Sequence, residues 1–113
     1  MSLRDPLVAF RQMRDHAHEA MSLVAGKGRA DLDASRILSL AIVRLLEIVG
    51  EAAARVPDGV RQTHPKIPWS QIIGMRNRLI HGYDQVDLDV VWAVVTSDLP
   101  ALVAQLDQST AGG

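Results

Sequence analysis

The sequence predicts an all-α domain, an up-and-down bundle of four main helices plus one short helical piece. Composition points there first: hydrophobic residues make up 48% of the chain, mostly Leu, Val, Ile and Ala, and aromatics only 4%. That mixture suits packed helices better than a β-sandwich. Apolar residues also recur at three-to-four spacing over long stretches, with no convincing strand and no internal repeat. The 113 residues make one domain, long enough to bury a core without a metal or a disulfide. The domain is expected over residues 5–108, with a disordered tail over 109–113.

The elements follow in order. Asp5-Pro6 starts the first helix, Asp as cap and Pro as first helical residue. Leu7, Phe10, Ala17, Met21 and Val24 form its apolar face, and Gly26-Lys27-Gly28 ends it. Asp31 or Asp33 caps a second helix that runs to about Arg55. At about 100° per residue this helix is apolar nearly all round, apart from a narrow wedge of Arg36, Arg44, Glu47, Glu51 and Arg55. So narrow a polar stripe asks for cover on most sides, and in a small domain a second subunit is a natural part of it. Val56-Pro57-Asp58-Gly59 is a turn, and Val60 to His64 a short helical piece. Trp69 and Trp92 read as core anchors. The next helix runs from Pro68 through Ile80, stopped by Gly82. Asp84 to Asp87 is a link, and Asp87 caps the last helix, which Pro100 kinks or splits after Asp98.

Several functions are excluded or disfavoured. With no cysteine, disulfides and thiolate chemistry are ruled out, and a cytoplasmic setting is the natural reading. Ile37 to Val49 is too short and too charged to span a membrane. A formal net charge of -1 disfavours the neutralisation of many phosphates along a duplex, so any nucleic acid is handled at a few phosphates. Asp15, His18 and Glu19 share a helical face but lack a matching ligand group, and neither a metal nor another cofactor is expected.

The Pro68–Ile80 helix holds an anomaly. Trp69, Ile72, Ile73, Met75, Leu79 and Ile80 make one apolar arc, with Arg76 near its middle. A buried guanidinium there would need a partner such as Glu47 or Glu51, or a function. Asn77 and His81, four residues apart, would be neighbours on the other face. A guanidinium grips phosphate and a histidine exchanges protons near neutrality, which together suffice for metal-independent RNA cleavage. One histidine cannot easily serve as both base and acid, so two-fold pairing of subunits would supply the second. On an ideal helix, however, Arg76 and His81 would stand about 140° apart.

The run Pro68-Trp69-Ser70-Gln71-Ile72-Ile73-Gly74-Met75-Arg76-Asn77-Arg78-Leu79-Ile80-His81-Gly82-Tyr83 resembles the HEPN signature of the HepT-like family: Arg, four residues, His, one residue, Tyr. Leu45 to Ala53 is similar to that family's second helix. Val86-Asp87, Trp92 and Asp98-Leu99-Pro100 are similar to its closing helix. The resemblance implies a homodimeric ribonuclease toxin with Arg76 and His81 as catalytic pair, Asn77 in support, and RNA as substrate. It also implies an antitoxin partner of the minimal nucleotidyltransferase type, which would silence the toxin by transferring AMP to Tyr83. Glu47 is a further candidate, as the group orienting Arg76. Two alternatives stand beside this reading. One is a non-catalytic HEPN-fold module that binds a nucleotidyltransferase or a nucleotide; the other is a helical dimer in which the Arg76 network is purely structural.

Overall fold

The computed structural model describes residues 5–81 and 85–111. Helix α1 (Pro6–Val24) begins as expected: the Leu7 N–H donates to the Asp5 carboxylate at 3.0 Å and Pro6 takes the first helical position. Ala9, Phe10, Met13, Ala17, Ala20 and Val24 form its buried side. Gly26, at φ 75°, supplies the left-handed turn that ends the helix, and the Lys27 N–H closes on the Val24 carbonyl at 2.9 Å.

The expected second helix is two. A short α2 (Ala30–Ala34) stops at Ser35, whose backbone is extended, and α3 (Arg36–Ala54) starts there. The cap is Ser35, accepting from the Leu38 N–H at 3.1 Å, rather than Asp31 or Asp33. Asp31 instead accepts from the Gly28 N–H at 2.7 Å, ahead of α2, and Asp33 pairs with Arg29 at 3.0 Å. The buried Ser39 hydroxyl donates to the Leu32 carbonyl at 2.6 Å and fastens α2 to α3. Arg29 also binds Asp89 at 2.8 Å across 60 residues of sequence; that hydrogen bond holds its guanidinium above the usual arginine range.

After α4 (Asp58–Gln62), the helix expected over Pro68–Ile80 is broken twice. It forms α5 (Trp69–Ile73), turns at Gly74, resumes as α6 (Met75–Leu79) and then leaves helical geometry. Ile80–His81 is a short strand, β1, paired antiparallel with β2 (Gln85–Val86); Ile80 faces Val86 and His81 faces Gln85. These strands were not expected: two residues each are too few for an alternating pattern to register. Gly82 as a helix stop lies outside the described residues, and the helix has already ended at Leu79.

The closing segment is α7 (Leu88–Ala93), capped by the Asp87 carboxylate, a wide π turn over Val94–Asp98, and α8 (Leu99–Ala111). Pro100 explains the turn. It has no N–H to donate and its ring crowds the carbonyl four residues back. The chain accommodates it by widening, so that the Leu99 N–H reaches back five residues to the Val94 carbonyl. Helix α8 continues past Ser109, where the tail was expected to begin, as far as Ala111.

Helix α1 packs against α3 and α8, and α3 also contacts α5, α6 and α7. Met13, Ile42, Leu46, Val49, Leu79, Val91, Leu99 and Leu106 are sealed within this bundle. Each such side chain contributes about 1.5–3 kcal/mol of burial. By length and composition Leu88–Gln108 could cross a membrane, more so than the Ile37–Val49 stretch. Its Val91, Val94, Val95, Leu99, Leu102, Val103 and Leu106 instead belong to the core. The chain's own helices cover most of α3 as well. Ile37 and Leu40 are its large apolar exceptions, left 82% and 53% exposed.

Candidate active site

Gly50 determines how the Arg76 segment meets α3. A Cβ at this position would stand 3.0 Å from the Ile72 carbonyl oxygen, closer than real Cβ atoms normally come to backbone. The bare glycine therefore lets α5 lie directly on α3. Ile72 and Met75 are buried at that junction, and Leu79 is sealed completely. Trp69 steadies the entry to α5. Its indole N–H lies 3.1 Å from the His64 carbonyl and 3.2 Å from that of Arg61, and its ring stacks on Phe10 at 5.9 Å.

Gly74 then sets the direction of Arg76. Its backbone, at φ -82° and ψ 1°, leaves the α region, so α6 does not continue the helical phase of α5. Ile72, Met75 and Leu79 of the expected apolar arc are buried and Trp69 and Ile73 pack against the core, but Arg76 does not lie among them. Arg76 is not in an apolar interior: its side chain is 72% exposed, with Nε 3.6 Å from a Glu47 carboxylate oxygen. Glu47 is mostly covered, at 21% exposure. Its other oxygen lies 3.7 Å from Arg44, which also meets Glu51 at 3.3 Å. The expected partner of Arg76 is thus present, but in water rather than in a core.

This arrangement bears on the purely structural alternative. Exposed ion pairs contribute about 0.2–1 kcal/mol, too little to explain an arginine by stability alone. A guanidinium whose Nε faces a carboxylate and which is otherwise open to solvent keeps its outer N–H donors available to an oxyanion.

Asn77 and Arg78 are also exposed, and Arg78 lies 3.4 Å from Asp98 at the end of the π turn. His81 is on β1, where the structure describes its backbone and not its side chain. The expected Asn77–His81 adjacency assumed a helix that reached His81. The separation of about 140° between Arg76 and His81 made the same assumption, and both lapse once the helix ends at Leu79. Tyr83 lies outside the described residues. Among those that are described, no group of three or more His, Asp or Glu side chains is placed to hold a cation.

Residues 13–109 match "Ribonuclease HepT-like". Among curated relatives, a protein of Thermococcus cleftensis named as a probable ribonuclease HepT is 41% identical over 68 residues, 60% of this chain and 62% of that protein. The match therefore spans less than two thirds of that relative. A protein of Caldanaerobacter subterraneus named as an RNase is 38% identical over 85 residues, 75% of this chain and 76% of its own length. One from Methanocaldococcus jannaschii, also named as an RNase, is 27% identical over 107 residues, 95% of this chain and 98% of that one. No solved structure matches. A match that takes in α3, the broken α5–α6 segment, both strands and nearly all of α8 covers the whole scaffold around Arg76, and the chain belongs to the HepT-like ribonuclease family.

Proposed function

We propose that this chain is a metal-independent endoribonuclease, the toxin of a cytoplasmic HEPN–nucleotidyltransferase toxin–antitoxin pair that works as a homodimer. The observation that carries the reading is Arg76: a solvent-facing guanidinium, its Nε 3.6 Å from a mostly buried carboxylate, five residues before the His81 of the family signature. In the reaction, His81 takes the proton of a ribose 2′-hydroxyl. The freed oxygen attacks the adjacent phosphorus and the bond to the 5′-oxygen breaks. That oxygen leaves with a proton donated by an acid, for which the second subunit's imidazole is available. Arg76 stabilises the crowded anionic phosphorane. The products are a 2′,3′-cyclic phosphate and a 5′-hydroxyl. AMP transferred to Tyr83 by the antitoxin would place a bulky anion beside the phosphate-binding group and block RNA by exclusion and repulsion.

The test is RNA cleavage by purified, unmodified protein in excess EDTA, with the product ends identified. Cyclic phosphate ends are expected, and His81→Ala should lower the rate by about 10²–10⁴ with the helical content unchanged. Cleavage that requires added divalent metal, or an unmodified protein inert on every RNA offered, would refute the proposal. Mass spectrometry after co-expression with a nucleotidyltransferase of the minimal type should show one added AMP, lost in Tyr83→Phe.

A further inference from the structure

Helix α6 lies between two neighbours and offers a cation to each. Met75 and Leu79, four residues apart, form its buried line, and Arg76, Asn77 and Arg78 between them are all exposed. At about 100° per residue, Asn77 stands opposite the buried line and the two arginines leave the helix on either side of it. On one side is α3, where Arg76 meets Glu47. On the other is the π turn, where Arg78 meets Asp98 at 3.4 Å. This second pair plays no part in the bond-breaking steps.

The Arg78–Asp98 pair is a weak clasp. Its side chains are 42% and 47% exposed, and a charge-assisted hydrogen bond at full strength is about 2.7–2.9 Å long. Water competes for both ends, so the contact adds little to the fold. A phosphate oxygen, which a guanidinium binds well, can take the place of Asp98. Beneath the pair is a crevice of about 20 Å³, lined by Gln71, Met75 and Leu99 among others. That is room for about one water and for no nucleobase. A ligand of Arg78 is therefore gripped by charge at the surface rather than seated in a pocket, which suits a phosphate of a nucleic-acid backbone.

We propose that Arg78 binds a second phosphate of the RNA, one flanking the scissile phosphate at Arg76, and that Asp98 is the counter-ion this phosphate displaces. That the ligand is RNA rests on the ribonuclease reading of Arg76. Because the two guanidiniums leave α6 on opposite sides, they do not close on one phosphate. The strand crosses α6 over Asn77, with a phosphate on either side. Arg78 thus holds the strand and sets its line across the site, while the phosphorane is left to Arg76. A structural clasp and a displaced counter-ion have opposite consequences at Asp98. If Asp98 serves the site by fixing Arg78, neutralising it weakens RNA binding. If Asp98 competes with phosphate, neutralising it frees Arg78 and strengthens binding.

Binding of 2′-O-methyl oligonucleotides of mixed sequence to the full chain, followed by fluorescence anisotropy over a series of salt concentrations, tests it. Such strands lack the attacking hydroxyl and stay intact. Each phosphate contact to a single strand adds about 0.7 to the slope of log affinity against log salt. Arg78→Gln should therefore bind several-fold more weakly and lose about 0.7 of slope. Arg78→Lys, which keeps a point charge, should recover most of that slope. Asp98→Asn should bind several-fold more tightly than wild type. Helical circular dichroism should be unaltered in all three, since both positions are exposed. An unchanged slope in Arg78→Gln, an Asp98→Asn variant that binds more weakly, or a wild type that binds none of these strands overturns the inference. If the wild type nonetheless cleaves RNA, the ribonuclease reading survives that result. A wild type that binds through Arg78 yet cleaves no RNA would refute the proposed function and leave Arg78 standing as a nucleic-acid contact.

Discussion

Two helical stretches of this chain read alike in sequence and fold differently. Both Arg36–Ala54 and Pro68–Ile80 are apolar at helical spacing, with arginines interspersed. The first is one unbroken helix of 19 residues; the second breaks at Gly74, restarts, and becomes strand after Leu79. The difference lies in what surrounds each. Helix α3 is buried along most of its length by several other elements, so every turn is reinforced by tertiary contact. The α5–α6 segment rests on α3 through few buried side chains, Ile72, Met75 and Leu79. Nothing compels it to stay regular, and its irregularity turns Arg76 to solvent. A regular frame thus carries an irregular segment, and the candidate chemistry sits on the latter.

Substitutions in the two regions should therefore fail differently. Leu46, fully buried on α3, is the largest expected loss. Leu46→Ala should destabilise the fold by about 2–5 kcal/mol, from lost burial and the cavity left behind. Urea denaturation would show it, and near-neutral behaviour would mean that α3 is not the frame described. RNA cleavage measured well below the unfolding transition should fall far less.

The same contrast explains how much was legible beforehand. Asp5-Pro6, Asp87 and Pro100 act through local chemistry, by capping, fixed φ and a missing N–H, and each does what its sequence context says. The pairing of Arg76 with Glu47 was legible too, because both residue types stood out in otherwise apolar surroundings. Two kinds of feature were not. The split at Ser35 was hidden because Asp31 and Asp33 offered equally good caps a few residues earlier; only packing, through the Ser39–Leu32 hydrogen bond, selects between them. The exposure of Arg76 was hidden because a helical wheel assumes constant phase, and Gly74 interrupts it. The signal available was Gly74 itself, a residue that weakens any helix interior. The antiparallel strands around residues 82–84 had no periodic signal at all.

Gly50→Ala sharpens the comparison at the point where the two regions touch. Opposing effects compete there. Alanine gains about 0.8–1 kcal/mol of helix propensity over glycine, while overpacking a close contact typically costs about 1–3 kcal/mol. The contact here is with backbone, the Ile72 carbonyl at 3.0 Å, which cannot rotate aside as a side chain can. The net change expected in chemical denaturation is a destabilisation of up to about 2 kcal/mol. Because α5 must move off α3, RNA cleavage should fall beyond what the unfolded fraction explains. A Gly50→Ala variant more stable than wild type and fully active would mean that the close approach has no role in positioning Arg76.

Glu47→Gln is the smallest expected change in stability and the most discriminating. The amide keeps the size of the carboxylate and loses its charge. Arg76 is 72% exposed and its contact is long, at 3.6 Å, so an exposed pair of this kind contributes at most about 1 kcal/mol. Melting temperature should barely move. A guanidinium that only neutralised charge in the fold would leave nothing else to measure. One that grips a phosphate in the transition state should lose orientation when its anchor weakens. Cleavage by Glu47→Gln should then fall several-fold in kcat with little change in KM, because positioning acts on a contact made in the transition state rather than in the bound ground state. Equal loss in stability and in activity would put Glu47 with the frame; loss of activity alone would put it with the irregular segment it holds.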